Sequence, residues 1–359
     1  DEVSAVDPET LRVQIGGRTY TPDSAGVSYD LQSGRFSWDW VAGGPPDQQS
    51  VPDGSAVSVK VEACDFAGNP TAPYAWQWVM DYSKDRQPPT PPVIECASLP
   101  VLRRDDFEGE SVGWTNYRGD VWGASVSRVE REPASGDHCL RLSAQRPRSY
   151  MQALAYKGSY DLAKYPLLSF EYLIPRGTEF NLQLFVNGNW YELQITSPQT
   201  AQTSIGKLDA VQADEHWHHV SVDLLELMRK VLPSAPELKV EQLVFGNADR
   251  RAEADAYWLV DNFTIAGYGE PEARFTWRSR DITGIAGYSA LFGKDASATP
   301  PETVSTQQAG GTFTGSEPGA HFLSVRGCDN GGNWSAAARF PYFVRPAAQA
   351  ATPAVAPGR

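Results

Sequence analysis

Three histidines lie close together in the segment His216-Trp217-His218-His219, and imidazole nitrogens are common zinc ligands. If this segment is a strand, His216 and His218 share one face, because side chains alternate along a strand. A structural zinc site needs four ligands, and no third ligand follows at a suitable interval. The sequence therefore does not predict a zinc site here.

Sequence patterns typical of catalysis are absent from the chain. It contains no G-x-S-x-G nucleophile turn, no phosphate-binding G-x-x-x-x-G-K-[ST] loop and no H-E-x-x-H metalloprotease motif. Glycoside hydrolysis needs a pair of carboxyl groups, and nothing singles out one pair among the 44 acidic residues. We therefore predict a protein that is not an enzyme.

The four cysteines are Cys64, Cys96, Cys139 and Cys328. Their spacing includes no C-x-x-C pair or Cys/His pattern typical of a metal site. They allow at most two disulfides, and free thiols and disulfides both remain open at this point.

Composition and charge exclude two classes of partner. The net charge of −13 disfavours nucleic acid, whose binding depends on Lys and Arg neutralising phosphates. No apolar run is long enough to cross a bilayer, so membrane insertion is not expected. Eleven Trp and fifteen Tyr against three Met favour pleated strands and aromatic surfaces that stack on sugars.

The elements that must position any site include a repeated unit. The stretch from Val59 to Asn69 resembles the stretch from Leu323 to Asn333, since both are alternating strands ending in Cys-Asp-x-x-Gly-Asn. Asp, Gly and Asn provide the hydrogen bonds and positive φ angles of a tight turn. Phe36-Ser-Trp38 and Phe275-Thr-Trp277 match in the same order. Two copies of one small β-sandwich explain these matches.

A proline-rich connector, Gln87 to Pro92, separates the copies. The next apolar stretch, Val93 to Ser98, has no partner nearby, so we expect the second sandwich to begin there, to be interrupted, and to resume near Arg274. Between them, alternating strands and one helical stretch, Leu224 to Val231, predict a two-sheet jelly roll. The predicted fold class is all-β. Its predicted parts are an N-terminal sandwich (1–84), a linker (85–92), the first strand of the C-terminal sandwich (93–99), the jelly roll (100–269), the rest of the C-terminal sandwich (270–346) and a tail (347–359).

The two outer sandwiches resemble the immunoglobulin-like and fibronectin-III-like repeats of large bacterial surface proteins. The residues that carry this resemblance are Asp281 to Tyr288, the later Cys-Asp-x-x-Gly-Asn-Trp, and Val6-Asp7-Pro8 in the first copy. Such repeats are generally spacers, which implies an extracellular location, either secreted or on the cell surface. The chain begins at Asp1 without Met, so we expect a processed piece of a larger protein whose other domains are possible partners.

The central segment resembles family 11 carbohydrate-binding modules and the wider group of galactose-binding-like jelly rolls. The resemblance rests on Asp105-Asp-Phe-Glu-Gly109 at one end and Val260-Asp-Asn-Phe263 at the other. In that family the first and last strands are neighbours and their carboxylates hold a structural Ca²⁺. The resemblance therefore implies Asp106, Glu108 and Asp261 as calcium ligands, and Ca²⁺ prefers such oxygen ligands. The alternative is that they are solvated acids on an acidic protein.

The same resemblance implies a polysaccharide-binding cleft, in which aromatic rings stack on sugar rings and polar side chains bind hydroxyl groups. Matching positions suggest Tyr117, Tyr150, Asn187, Asn189, Trp190, Arg229 and Asn247. The chain departs from the family at Val244 and Asn247, where members carry His and Tyr, so its glycan differs from β-glucan or the cleft is degenerate. Carbohydrate binding without catalysis is the predicted function. The alternatives are a purely structural or adhesive segment and an accessory region of a glycoside-active enzyme.

Overall fold

The computed structural model describes residues 6–40, 50–109, 111–117, 124–130, 133–144, 150–198, 200–208, 211–246 and 256–345. Strands dominate these residues, so the all-β prediction is confirmed. Their side chains form three main hydrophobic cores, one in each of an N-terminal, a central and a C-terminal domain. None of the described helices is long and apolar enough to span a membrane.

The N-terminal domain pairs a four-stranded sheet, in the order β2-β1-β5-β6, with the hairpin β3-β4. Val57 and Val59 are buried because they alternate with polar residues along β5 and face the hairpin. The strands are β1 (Arg12–Ile15), β2 (Arg18–Tyr20), β3 (Val27–Asp30), β4 (Arg35–Trp38), β5 (Ala56–Glu62) and β6 (Tyr74–Val79). Short 3-10 turns lie at Pro8–Thr10 and Tyr82–Lys84.

The C-terminal domain is assembled from two distant stretches of chain. Its strands are β7 (Val93–Cys96), β20 (Glu272–Arg278), β21 (Ile285–Gly293), β22 (Gly310–Thr314), β23 (Gly319–Asp329) and β24 (Ala338–Val344). Strand β7 pairs antiparallel with β20, placing Ile94 opposite Trp277. One sheet has the order β22-β20-β7 and the other β21-β23-β24. The central domain is thus inserted between the first and second strands of this sandwich.

The central domain consists of two six-stranded sheets packed face to face. Sheet A contains β8 (Val101–Asp105), β10 (Ala124–Val129), β11 (Cys139–Ala144), β13 (Leu167–Leu173), β17 (Trp217–Asp223) and β19 (Tyr257–Ala266). Its order is β10-β11-β19-β13-β17, with β8 also paired to β19. Sheet B contains β9 (Thr115–Asn116), β12 (Gln152–Asp161), β14 (Asn181–Val186), β15 (Asn189–Gln194), β16 (Thr203–Lys207) and β18 (Lys239–Gly246). Its order is β16-β15-β14-β18-β12-β9.

The helix α1 (Leu224–Val231) closes one end of the central core. The Asp223 side chain accepts a hydrogen bond from the Glu226 backbone N–H and so caps the first turn. Leu224 and Met228, four residues apart, are buried on one face of the helix. The sequence predicts this helix with the same limits.

Strand β13 departs from the alternation expected of a strand with one solvated face, because all seven of its residues are buried. One face carries Leu168, Phe170 and Tyr172 into the central core. On the opposite face, Leu167 packs into the core of the C-terminal domain, whereas Leu173 packs against Cys139 and Leu259 of the central domain. The C-terminal domain therefore packs on part of the outer face of sheet A.

The sequence left open whether the four cysteines are free thiols or form disulfides. All four cysteines are thiols rather than disulfides. Burial raises the pKa of the Cys139 thiol to about 12, with a smaller contribution from the nearby carboxylates of Asp261 and Glu108. Cys139 is thus a packed, unreactive residue of sheet A.

Candidate functional site

The outer face of sheet B carries the residues predicted to bind sugar. On β14, Leu182 and Leu184 belong to the central core. Alternation turns Gln183 and Phe185 to the outer face. Trp190 on β15 lies directly opposite Phe185 and shares that face. The strands therefore present aromatic and amide side chains together on one surface.

Two predicted aromatics meet across this surface. The ring of Tyr117, just after edge strand β9, lies 6.1 Å from the ring of Trp190, centroid to centroid and nearly perpendicular. Strands β12, β18 and β14 separate β9 from β15 in the sheet. The contact therefore requires the outer face to be concave. Phe185, which the sequence analysis did not single out, extends the group with its ring 5.0 Å from that of Trp190.

The floor beside these rings is polar and closely packed. The Gln152 side-chain amide donates to Gln183 Oε1 at 3.0 Å. The Asn181 amide donates to Glu192 Oε1 at 2.7 Å, and Glu192 Oε2 accepts the backbone N–H of Ala201 at 2.7 Å. All four of these floor side chains are buried. The sequence analysis missed them, although polar residues alternating with leucines along β14 were a visible signal.

Two other predicted sugar ligands, Asn187 and Arg229, form hydrogen bonds to the backbone. Asn187 lies in the β14–β15 turn with a positive φ of 49°. Its side chain binds the backbone, accepting from Lys239 N–H and donating to the Glu237 carbonyl. Arg229 donates to the Ala235 carbonyl from α1. These two side chains hold the segment before β18, and their roles as sugar ligands remain predictions that their hydrogen bonds do not favour.

Three further predicted positions complete the set. Asn189 is exposed at the start of β15 and donates to the Asn187 carbonyl at 3.2 Å. Tyr150 is partly buried and precedes Gln152, so alternation places it toward the outer face of sheet B. Asn247 lies outside the residues that the structure describes.

The predicted calcium ligands do not form one compact group. Asp106 and Glu108 were expected to share a strand face, but β8 ends at Asp105 and Phe107 has a positive φ of 58°. This turn separates the two carboxylates. Asp106 pairs with Arg104 at 3.0 Å, whereas Glu108 accepts the backbone N–H groups of Asp137 and His138, both at 3.0 Å.

Asp261 is fully buried at a β-bulge of β19, where Asn262 adopts a positive φ of 48°. One carboxylate oxygen accepts Ser135 N–H at 3.0 Å and the other accepts Asn262 N–H at 2.7 Å. Burial, followed by the charges of Glu171 and Glu108, raises the pKa of Asp261 well above its usual value. Glu171 was not predicted, because nothing in its local sequence marks it.

Two observations bear on whether this region could hold a cation. The Asn262 Oδ1 atom is buried and accepts no hydrogen bond among the described residues. Beside it are three acids, Glu108, Glu171 and Asp261, of which the last two are almost completely buried. A buried amide oxygen beside carboxylates is a donor set that suits Ca²⁺. The chemistry of Asn262 and the acids suits the ion, but Glu171 is held by Arg339, and the three acids do not bring ligand atoms within 4.8 Å of one another.

The Arg339 guanidinium, from β24 of the C-terminal domain, reaches the same region. It donates to Glu171 Oε1, while the Asn262 amide donates to Glu171 Oε2 at 2.9 Å. Arg104 Nη2 in turn donates to the Arg339 carbonyl at 2.9 Å. A buried ion pair thus joins the central and C-terminal domains.

The histidine segment is explained by the same packing. His218 binds Asp214 through Nε2 at 2.8 Å. The His219 ring lies 4.5 Å from the Phe322 ring of the C-terminal domain, and burial lowers its pKa to about 3. None of the described histidines belongs to a group of three metal-ligating side chains.

No family model matches the chain. No curated protein matches it either. Among solved structures, the xylan-binding CBM22-1 domain from Paenibacillus barcinonensis is 17% identical over 47% of this chain and 95% of that domain, with a TM-score of 0.27. The glycoside hydrolase domain of Endo-D from Streptococcus pneumoniae is 13% identical over 64% of this chain and 36% of that one, with a TM-score of 0.31. A β-1,2-glucanase from Parabacteroides distasonis is 12% identical over 73% and 40%, with a TM-score of 0.27. At these scores the similarities do not assign this chain to a family.

Proposed function

We propose that the central domain binds a neutral polysaccharide on the concave outer face of sheet B, without catalysis. The observation that carries this proposal is the contact between the Tyr117 and Trp190 rings across three strands of the sheet. Aromatic rings above a polar floor are the usual arrangement of a sugar site, since ring faces pack on pyranose C–H groups. The N- and C-terminal domains would present this face as part of a secreted or cell-surface protein.

Net charge and the expected salt dependence indicate which class of polysaccharide the proposed site would bind. The chain carries a net charge of −13, which disfavours acidic polymers. Stacking involves little charge, so affinity for a neutral polysaccharide should depend weakly on salt. A panel of neutral and acidic polysaccharides in affinity gels, at low and high salt, tests this class.

A structural role for the jelly roll is the second candidate. The four polar side chains of the floor satisfy one another, and Asn187 and Arg229 bind backbone groups. Such a surface also occurs where a sheet only supports its own loops. If no polysaccharide binds in the panel, this second function replaces the first.

Replacement of single aromatics separates the two functions. Trp190→Ala and Tyr117→Ala should each weaken binding by about 1–3 kcal/mol, by analogy with other stacking platforms. Trp76→Ala is the matched control, because this tryptophan is 44% exposed on the N-terminal domain, far from sheet B in the chain. Calorimetric titration with the best-bound polysaccharide measures all three. Equal affinities for the three variants would contradict the proposed site.

We also propose a structural Ca²⁺ near the bulge of β19, held by Glu108, Asp261 and Asn262. The buried, unpartnered Asn262 Oδ1 supports it. Bound ion would offset the repulsion between the buried acids and so stabilise the central domain. Differential scanning calorimetry with and without EDTA should show a lower melting temperature without calcium, and Glu108→Gln should reduce the difference. An EDTA-independent transition would remove calcium from the proposal.

A further inference from the structure

A second group of acids lies where the N-terminal and C-terminal domains meet. Asp85 follows the Tyr82–Lys84 turn at the end of the N-terminal domain. Asp281 follows β20, and Asp329 ends β23. Each contributes one carboxylate oxygen to a group in which all oxygens lie within 4.8 Å of one another. Of the metal-ligating side chains described, no other three come this close.

Near this group, one backbone hydrogen bond joins the N-terminal and C-terminal domains, and another joins the linker to the C-terminal domain. The Val51 N–H donates to the Ile282 carbonyl at 2.9 Å, and the Thr90 N–H donates to the Arg280 carbonyl at 3.0 Å. Ile282 also packs against the core of the N-terminal domain. The three carboxylates are therefore brought together by contacts that the N-terminal domain and the linker make on either side of Asp281.

Asp281 and Asp329 are buried, and Asp85 is partly buried. Asp281 is 5% exposed and Asp329 is 1% exposed. Both hydrogen bonds to Asp281, from the Thr283 N–H and hydroxyl, go to Oδ1 at 2.7 Å. Among the described residues, no donor forms a hydrogen bond to the buried Asp85 Oδ2 atom. A buried carboxylate oxygen without a donor is costly, and this one belongs to an aspartate grouped with two other acids, which points to a cation.

The cations nearest in sequence do not fill this role. Arg86 donates to the backbone carbonyls of Ser83 and Asp85. Lys84 lines a cavity of about 260 Å³ together with Asp81, Asp85 and Thr283. Across the described parts of the chain, no Lys, Arg or His forms an ion pair with any of the three carboxylates. The adjoining cavity has room for water ligands.

The electrostatics agree with this geometry. Burial, together with the charges of Asp85 and Asp329, raises the pKa of Asp281 although its two hydrogen bonds to Thr283 lower it. The group must hold a proton or a cation to relieve the repulsion. Two oxygens bound to one Ca²⁺ at 2.3–2.6 Å are at most about 5 Å apart. The oxygen spacing in the group is within that limit.

The first copy of the repeated turn provides a comparison within the same chain. Asp65 accepts from the Asn69 N–H at 2.8 Å and the Asn69 amide at 2.9 Å. Asp329 accepts from the Asn333 N–H and amide at the same two distances. Hydrogen bonds from Asn69 lower the pKa of Asp65, and no group of three acids includes it. The aspartate is thus a turn residue in both copies, and only the second copy adds two further acids.

We propose that Asp85, Asp281 and Asp329 bind a Ca²⁺ ion that fixes the N-terminal domain to the C-terminal domain. The ligands are hard oxygens, two from the C-terminal domain and one from Asp85 directly after the N-terminal domain, and Ca²⁺ accepts the irregular geometry of such a set better than Mg²⁺ does. The ion orients the N-terminal domain relative to the domain that carries the jelly roll. This site is separate from the bulge of β19.

Titration of the full chain with CaCl₂ alone, after removal of metal, tests the proposal. Asp329→Asn and Asp85→Asn should each bind one Ca²⁺ fewer than wild type, or bind that ion at least about tenfold more weakly, because affinity follows the number of charged ligands. Asp65→Asn is the matched control, since it alters the same turn without touching the group, and it should bind as wild type does. Circular dichroism checks that each variant is folded, and Asp85 lies outside every strand, so its replacement leaves the sheets intact.

Trypsin cleavage after Arg86 in the linker gives a second measurement. Calcium should slow this cleavage at least about tenfold in wild type and in Asp65→Asn, but not in Asp85→Asn, because binding suppresses local opening. If Asp329→Asn and Asp85→Asn keep the wild-type number of ions and affinity, or wild type binds no Ca²⁺, the proposal is wrong.

Discussion

The ion pair between Arg339 and Glu171 should dominate the coupling of the central and C-terminal domains. The side chains are 10% and 4% exposed, and Asp261 lies buried beside them. Arg339→Met would keep much of the packing volume but leave Glu171 buried without its cation. Removing one partner of a buried pair costs about 3–5 kcal/mol, because the remaining charge is uncompensated.

Differential scanning calorimetry measures this cost as a shift in the transition of the central and C-terminal domains. For a unit of this size each kcal/mol corresponds to about 2–4 °C, so Arg339→Met should lower the melting temperature by about 6–20 °C. Arg274→Met is the matched control. Arg274 pairs with Glu272 on the surface, with the two side chains 72% and 56% exposed. Such a pair contributes about 0–1 kcal/mol.

A double variant identifies the cause of the shift. Glu171→Gln combined with Arg339→Met removes the uncompensated charge and should recover most of the stability, since replacing a whole buried pair is often neutral. A shift for Arg339→Met no larger than that for Arg274→Met would refute the reasoning. Equal losses in the single and double variants would show that packing, not charge, accounts for the effect.

Two further predictions concern the inserted topology and the buried acid. Ile94→Ala should destabilise the C-terminal domain by about 2–5 kcal/mol in urea unfolding, because Ile94 is buried opposite Trp277. Val93→Ala, at a residue 44% exposed, should change stability by less than about 1 kcal/mol. Similar effects of the two variants would place β7 outside the core. The folded-state pKa of Asp261 is raised above 3.8. The contribution of Asp261 to stability is therefore fully present below about pH 4 and is lost as pH rises through the raised folded-state pKa. With EDTA present, the stability of Asp261→Asn relative to wild type should therefore increase as pH rises above about 4. A pH-independent difference in melting temperature would contradict the assignment.

Local sequence was sufficient for several elements of the fold. Alternation predicted strands such as β5, whose valines face one core. The limits of α1 followed from an apolar pattern that ends before Pro233. The lack of a nearby partner for Val93 to Ser98 led to the expectation of a distant pairing, and β7 does pair with β20. These properties depend on residues a few positions apart, so periodicity and turn chemistry reveal them.

Tertiary structure decided which polar residues meet. Glu171 and Arg339 are 168 residues apart, and neither stands out in its own strand. Asp106 and Glu108 were expected on one face, but the positive φ of Phe107 separates them. Asp85 joins Asp281 and Asp329 only because the N-terminal domain contacts the C-terminal domain. Sequence periodicity determines which face of a strand a side chain occupies, whereas strand order and domain packing determine what lies opposite that face.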